Sequence, residues 1–291
     1  MYKIILTMLL VPFSLLGALN VAVSYPYIGA VTKKIGGDRV SVAVLAPGNW
    51  DPHFVVPRPS LIATLRRADA LIMNGAELEV GWLPALKERA NNTRLMDGGT
   101  LELSRHVTLI EIPEDTSRAG GDVHAQGNPH FHLDPRNILP IADAVAAFLS
   151  DRDPGHAAIY RDNFENFKAV WRTNLKRWDK AMQEAQSRKV VQYHGIFNYF
   201  LHAYLIESVG TIEPLPGIPP STKHTMALIG IIEKEHVCCI LHDVYHPTKV
   251  AEFITNRSGI TLLTLPHDVG ALDSASSLEA LYDTLVKAVA P

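Results

Sequence analysis

Four short stretches of this sequence carry side chains that bind metal ions. They are Asp51-Pro52-His53, Asn128-Pro129-His130-Phe131-His132, Tyr193-His194-Gly195 and Pro266-His267-Asp268. A neutral imidazole offers one ring nitrogen as a donor. Three such nitrogens with one carboxylate suit zinc in tetrahedral geometry, at about 2.0–2.2 Å. One histidine alone says little, because the chain has 13 of them and an isolated one is commonly hydrogen-bonded or solvated. What singles these out is their Asp-Pro-His and Asn-Pro-His-x-His settings, and their places relative to the elements around them.

Those elements alternate. Apolar runs predict strands over residues 19–25, 40–46, 70–73, 107–112, 190–193, 211–215, 237–242 and 261–265. Helical patterns fall between them, over 28–35, 59–67, 82–90, 137–149, 196–204, 222–235, 247–257 and 278–288. Such βαβα alternation predicts parallel sheets covered by helices. Ligands of open parallel sheets bind beyond the C-terminal strand ends. His53 follows strand 40–46, His194 directly follows 190–193 and Asp268 follows 261–265, while His130 comes after a polar, glycine-bearing loop at 114–128. His53, His130, His194 and Asp268 are therefore the candidate metal ligands.

Between the two sets of strands, residues 154–189 predict one long helix. Gly and Pro are absent between Gly155 and Gly195, and Tyr160, Phe164, Phe167, Trp171, Leu175, Trp178 and Met182 recur at spacings of three and four. That is a single apolar stripe. About 30 helical residues reach roughly 45 Å, more than one small domain needs. The chain is thus organised as a signal segment at 1–18, an N-terminal α/β lobe at 19–153, the linking helix at 154–189 and a C-terminal α/β lobe at 190–291. The fold class is α/β: two lobes, each a parallel sheet flanked by helices, joined by one long rigid helix.

Composition narrows the function. With 291 residues, 47% hydrophobic and 20% charged, the chain is of ordinary globular make-up. Its net charge of −3 and mixed signs leave no basic block to track phosphates, which argues against nucleic acid. Lys3, the apolar run at 4–16 and Gly17-Ala18 read as a secretory signal. Leu19 stands where a lipoprotein would carry its cysteine, so release after export is expected rather than lipid anchoring. The two cysteines, Cys238 and Cys239, are adjacent in an apolar run, which predicts buried free thiols and excludes a disulfide scaffold.

The sequence resembles the zinc/manganese substrate-binding proteins that feed bacterial ABC importers. The resemblance covers nearly the whole mature chain. It is carried by Asp51-Pro-His53, Arg58-Pro-Ser60, Ala68-Asp69, Asn74-Gly75-Ala76-Glu77-Leu78-Glu79, Pro129-His130-Phe-His132-Leu-Asp134-Pro135, Tyr193-His194-Gly195 with Tyr199-Phe200, and Gly210-Thr-Ile-Glu213-Pro-Leu-Pro-Gly217. It implies two lobes on a single long helix with one metal in the cleft, and His53, His130 and His194 as ligands. His132 stands where the family usually has Trp, which implies a packing role. Manganese-type members tend to carry Glu at the place of His194, so the resemblance points to zinc over manganese. At the fourth position the family's Asp-x-Leu-Gly is replaced by His267-Asp268-Val269-Gly270. Spacing selects His267 and residue type selects Asp268, with Asp243 and Glu213 as lesser candidates; the charge of the ion favours Asp268.

The expected function is a periplasmic, monomeric protein that captures zinc and delivers it to a membrane-embedded ABC permease, catalysing nothing. Two rival readings are a zinc hydrolase, with the three histidines as ligands and Asp268 as base, and a binder of haem or a metal chelate on the same architecture.

Overall fold

The computed structural model describes residues 17–113, 124–185 and 188–290. The signal segment, apart from Gly17 and Ala18, lies outside the described residues, as does most of the polar loop, residues 114–123.

Two four-stranded sheets, parallel throughout, form the frame. The first contains β1 (Leu19–Val23), β2 (Val40–Val44), β3 (Ala70–Met73) and β4 (Thr100–Glu102), in the order β2-β1-β3-β4. The second contains β5 (Lys189–Gln192), β6 (Glu207–Thr211), β7 (Cys239–His242) and β8 (Thr261–Thr264), in the order β6-β5-β7-β8. The central strands are near-continuous apolar runs, as sheets covered on both faces require. Val21 and Val23 of β1, and Ala70, Leu71 and Ile72 of β3, are fully buried.

Around the first sheet lie α1 (Pro26–Gly36), α2 (Pro59–Arg67), α3 (Leu83–Ala90) and α4 (Ile138–Arg152). Proline stands in the first turn of α1, α2 and α3, where its missing N–H costs nothing. The long helix α5 (Ala157–Met182) follows a 3-10 turn at Pro154–His156 and runs on into another at Gln183–Ala185. Its 26 residues span roughly 39 Å. Tyr160, Phe167, Trp171, Trp178 and Met182, all buried, form its inward stripe. Around the second sheet lie α6 (Asn198–Ala203), α7 (Thr222–Glu235) and α8 (Lys249–Ser258).

The last helix, α9 (Leu278–Val289), does not stay with the second sheet. It packs on α5 and on α1. Tyr282 meets the rings of Trp171 and Trp178 at centroid distances of 5.4 and 5.1 Å, and Lys34 pairs with Glu279 at 2.7 Å. One continuous apolar core therefore runs from the first sheet through α4, α5 and α9 to the inner side of β5 and β7. A smaller second core lies between β5, β7, α7 and α8.

Two strand expectations need correction. Residues 107–112 form no strand: the Ile110 N–H donates to the Tyr199 hydroxyl oxygen, and the Ile110 carbonyl accepts from the Asn128 N–H. The fourth strand lies earlier, at Thr100–Glu102. The sixth strand is Glu207–Thr211 rather than 211–215, because Pro214 and Pro216 cannot donate to a ladder. Cys239 is buried as expected, but Cys238 is exposed.

Candidate metal centre

His53, His130 and His194 converge. One ring nitrogen from each lies within 4.8 Å of the others. The ring centroids are 5.3, 5.8 and 6.0 Å apart, and the planes cross at 76°, 81° and 88°. Rings set edge-on to one another point their nitrogens at a shared point rather than stacking.

Each histidine is held by its own local device. Asp51 Oδ1 accepts from the His53 backbone N–H at 2.9 Å and from Nδ1 at 2.8 Å. A carboxylate accepts only, so this bond puts the proton on Nδ1 and leaves Nε2 as the donor to a metal. Burial raises the Asp51 carboxyl, but its bonds to His53 outweigh that and keep it below its usual value. The Pro52 carbonyl accepts from the Tyr25 hydroxyl and from Trp82 Nε1, at 2.9 and 3.3 Å, which fixes the turn to the first sheet.

His194 lies two residues past the end of β5, and its Nδ1 meets Glu213 Oε2 at 2.8 Å. Glu213 comes from just beyond β6. The arrangement repeats that of Asp51 and His53, again freeing Nε2.

His130 is 2% exposed, and its Nε2 has no hydrogen-bond partner among the described residues. Burial first, then the neighbouring His53 and His194, push its pKa well below the ordinary histidine value. Its backbone N–H donates to Asn128 Oδ1 at 3.0 Å. Asn128 Nδ2 donates to the Gly195 carbonyl at 2.9 Å, so one side chain ties the His130 turn to the His194 turn. A buried polar atom without a partner is costly unless something else satisfies it.

His124 stands beside this group. Its ring stacks on that of His53 at 5.2 Å, and burial, with His53 and His194 nearby, lowers its pKa to about 4. Ala125 N–H donates to Glu77 Oε2 at 2.6 Å, and a turn closes from Gly127 N–H to the His124 carbonyl. Gly75, Ala76 and Glu77 all have positive φ, a left-handed stretch that aims Glu77 at this turn.

Asp268 is not among the three residues whose ligand atoms lie within 4.8 Å of one another. It is 4% exposed, and its Oδ1 accepts from the backbone N–H of Tyr27 at 2.8 Å and of Val269 at 2.6 Å. Burial pushes its carboxyl well above the usual range, and those two bonds oppose that shift. His267 is also buried, with Nε2 at 3.2 Å from the Trp50 carbonyl and its pKa lowered by burial to about 4. His132 stacks on Tyr27 at 4.2 Å and meets the His267 carbonyl through Nε2 at 2.8 Å, away from the cluster. Asp243 is spent on His246: it accepts from that residue's N–H and Nδ1 and is held at about 2, these bonds outweighing the effect of burial.

What sequence reasoning missed is the partner role of Asp51 and Glu213. The Asp two residues before His53 was a visible signal for the first. Glu213 is 19 residues from His194, and only the pairing of β5 with β6 brings them together. Two carboxylates, Asp51 and Glu213, thus stand behind two of the three imidazoles.

The family model for the periplasmic zinc-uptake complex component A, ZnuA, matches residues 21–289. The metal ABC transporter substrate-binding lipoprotein ScbA of Streptococcus cristatus is 28% identical over 199 residues, 65% of this chain and 60% of ScbA. The manganese-binding lipoprotein MntA of Halalkalibacterium halodurans is 27% identical over 255 residues, 87% of this chain and 76% of MntA. A crystal structure of ZnuA matches with a TM-score of 0.78 at 26% identity, covering 94% of this chain and 100% of the other.

Proposed function

We propose, from the premise that this chain belongs to the zinc-uptake component A family of metal ABC transporter substrate-binding proteins, that it captures zinc on His53, His130 and His194 and passes it to a membrane permease. The observation that carries this reading is the convergence of the three imidazoles from three separate strand-end loops, two of them backed by a carboxylate. Relatives are named for zinc and for manganese, so the donor set has to choose. Nitrogen donors suit zinc, whereas manganese favours carboxylate, carbonyl and water oxygen. Asp51 and Glu213 face the ring nitrogens rather than the convergence point, which supports zinc.

The protein works outside the cytoplasmic membrane as a monomer. The seam between the two sheets supports a small closing motion. Asp268 on α1, His267 on the Trp50 carbonyl and α9 on α5 all cross it, and each would break in a wide opening. A hydrolase reading loses its base, because Asp268 is occupied with backbone amides.

Metal analysis of the purified protein after dialysis against zinc and manganese together tests the proposal. About one zinc per chain is expected, with manganese displaced. Manganese retained in the presence of zinc would overturn the choice of metal, and no retained metal would overturn the site.

A further inference from the structure

The second sheet carries a cluster at its other end. Cys238 immediately precedes β7, and Cys239 is its first residue. Neighbours within a regular strand point to opposite faces, yet here the two sulfurs lie 2.9 Å apart. Cys238 is exposed and Cys239 is buried, so the pair forms a ledge with one open sulfur and one set behind it. The Cys238 N–H donates to the Lys189 carbonyl at 3.0 Å, and Cys239 is in register with Val190 of β5 and Thr261 of β8. The backbone on both sides is thereby fixed. Arg188 adds a positive charge beside the pair. The hydrogen bond from Cys239 first, and then Arg188, lower the Cys238 thiol to about 7 against the opposing effect of burial, while Cys239 is raised.

The pair does not readily close on itself. Adjacent Cα atoms are about 3.80 Å apart across a trans peptide, short of the roughly 4.4 Å at which ordinary disulfides begin. Closing the ring would twist a peptide that two ladders hold. A dithiol that resists internal oxidation, with one sulfur open and partly ionised, suits a ligand that takes both sulfurs at once.

We propose that Cys238 and Cys239 form a bidentate site for thiophilic trivalent metalloids, with trivalent arsenicals as the ligand class, separate from the three-histidine centre. The reaction is a condensation. An organoarsine oxide meets the two thiols, both S–H bonds break, two As–S bonds form, and the oxygen leaves as water with the two protons. Arsenic stays trivalent, and no oxidant takes part. Soft sulfur selects this class, and imidazole nitrogen does not compete for it. The inference is independent of the zinc reading.

The test uses the reduced full-length chain and equimolar phenylarsine oxide, read by intact mass and by thiol titration. One phenylarsenic unit per chain is expected, with both thiols consumed. The adduct should resist glutathione and release to a small dithiol. Two tethered sulfurs gain roughly 100-fold or more in retention over one, so Cys238→Ser, at the exposed position, should lose the adduct to glutathione that much faster. Cys239→Ser should do the same. His53→Ala, which removes a proposed zinc ligand, should leave the adduct unchanged. An adduct equally stable in either single-cysteine variant would overturn the proposal. So would a chain that arrives from an oxidising compartment with the two cysteines already joined and unreactive.

Discussion

Tyr27 donates its backbone N–H to Asp268 Oδ1 at 2.8 Å, across 241 residues of sequence. Tyr27 lies in the first turn of α1, behind Pro26, which has no N–H to offer. The carboxylate from beyond β8 therefore caps a helix of the opposite sheet, and the first-turn amides and helix dipole favour it there. Gly48 presses against the same loop: a Cβ at that position would lie 2.1 Å from the Val269 carbonyl oxygen. The contact is too close for any residue with a side chain.

Asp268→Ala should therefore act mainly on stability. It leaves the buried amide of Tyr27 and the part-buried amide of Val269 without this acceptor, a loss of about 1–3 kcal/mol each at most. Thermal unfolding should show the drop, while zinc affinity changes far less than in a histidine variant. Asp268→Asn keeps an acceptor and should recover most of the stability. Intact stability with lost zinc binding would return Asp268 to the metal.

Each of His53→Ala, His130→Ala and His194→Ala should weaken zinc binding beyond the roughly 100-fold that loss of a ligand's supporting partner can cost. His132→Ala and His267→Ala should not, because both rings pack in the seam. Competition titration with a zinc chelator measures the ranking. Parity between His132→Ala and His130→Ala would show the wrong histidine of the Asn-Pro-His-x-His motif to have been chosen.

Glu213→Gln and Asp51→Asn test the carboxylates behind the rings. Each keeps an acceptor but removes the charge, so zinc affinity should fall about 10- to 100-fold. Glu213→Gln should have the larger effect, since Glu213 is more buried than Asp51. No change in either variant would mean that the rings are oriented by packing alone.

The pH dependence has a definite sign. A metal needs neutral imidazole, so protons compete with it as pH falls. Burial and its neighbours hold His130 well below the ordinary histidine range, so it stays neutral where free histidine, near about 6.5, is already charged. Between about pH 7 and 5, zinc should therefore be displaced by no more than two protons per ion. A plot of log Kd against pH with a slope of three would contradict the burial of His130.

Much of this was legible in the sequence. Pro59–Arg67, Ala70–Met73 and Thr222–Glu235 form the expected elements at the expected bounds, because proline, capping residues and short apolar runs mark them locally. The three histidines could be picked out because each follows a recognisable strand end or turn motif. Asp268 could not be placed. Whether a carboxylate faces an ion or a helix end depends on how two sheets meet, and no local pattern records that. Glu207–Thr211 was hidden by its own polarity, and Thr100–Glu102 by being only three residues long.

The docking of α9 on α1 and α5 also sets an order of events during synthesis. Lys34 and Glu279 are 245 residues apart, an interval of about 12 to 50 s at the usual pace of about 5–20 residues per second. In the last part of it, once His194 has been added, the ribosome carries a nascent chain that holds all three histidines but whose Trp171 and Trp178 still lack Tyr282 as a cover. The three histidines are all made before the closing piece of the core. A polypeptide stopped after β8 would carry all three histidines while exposing an aromatic face to aggregation or to a chaperone.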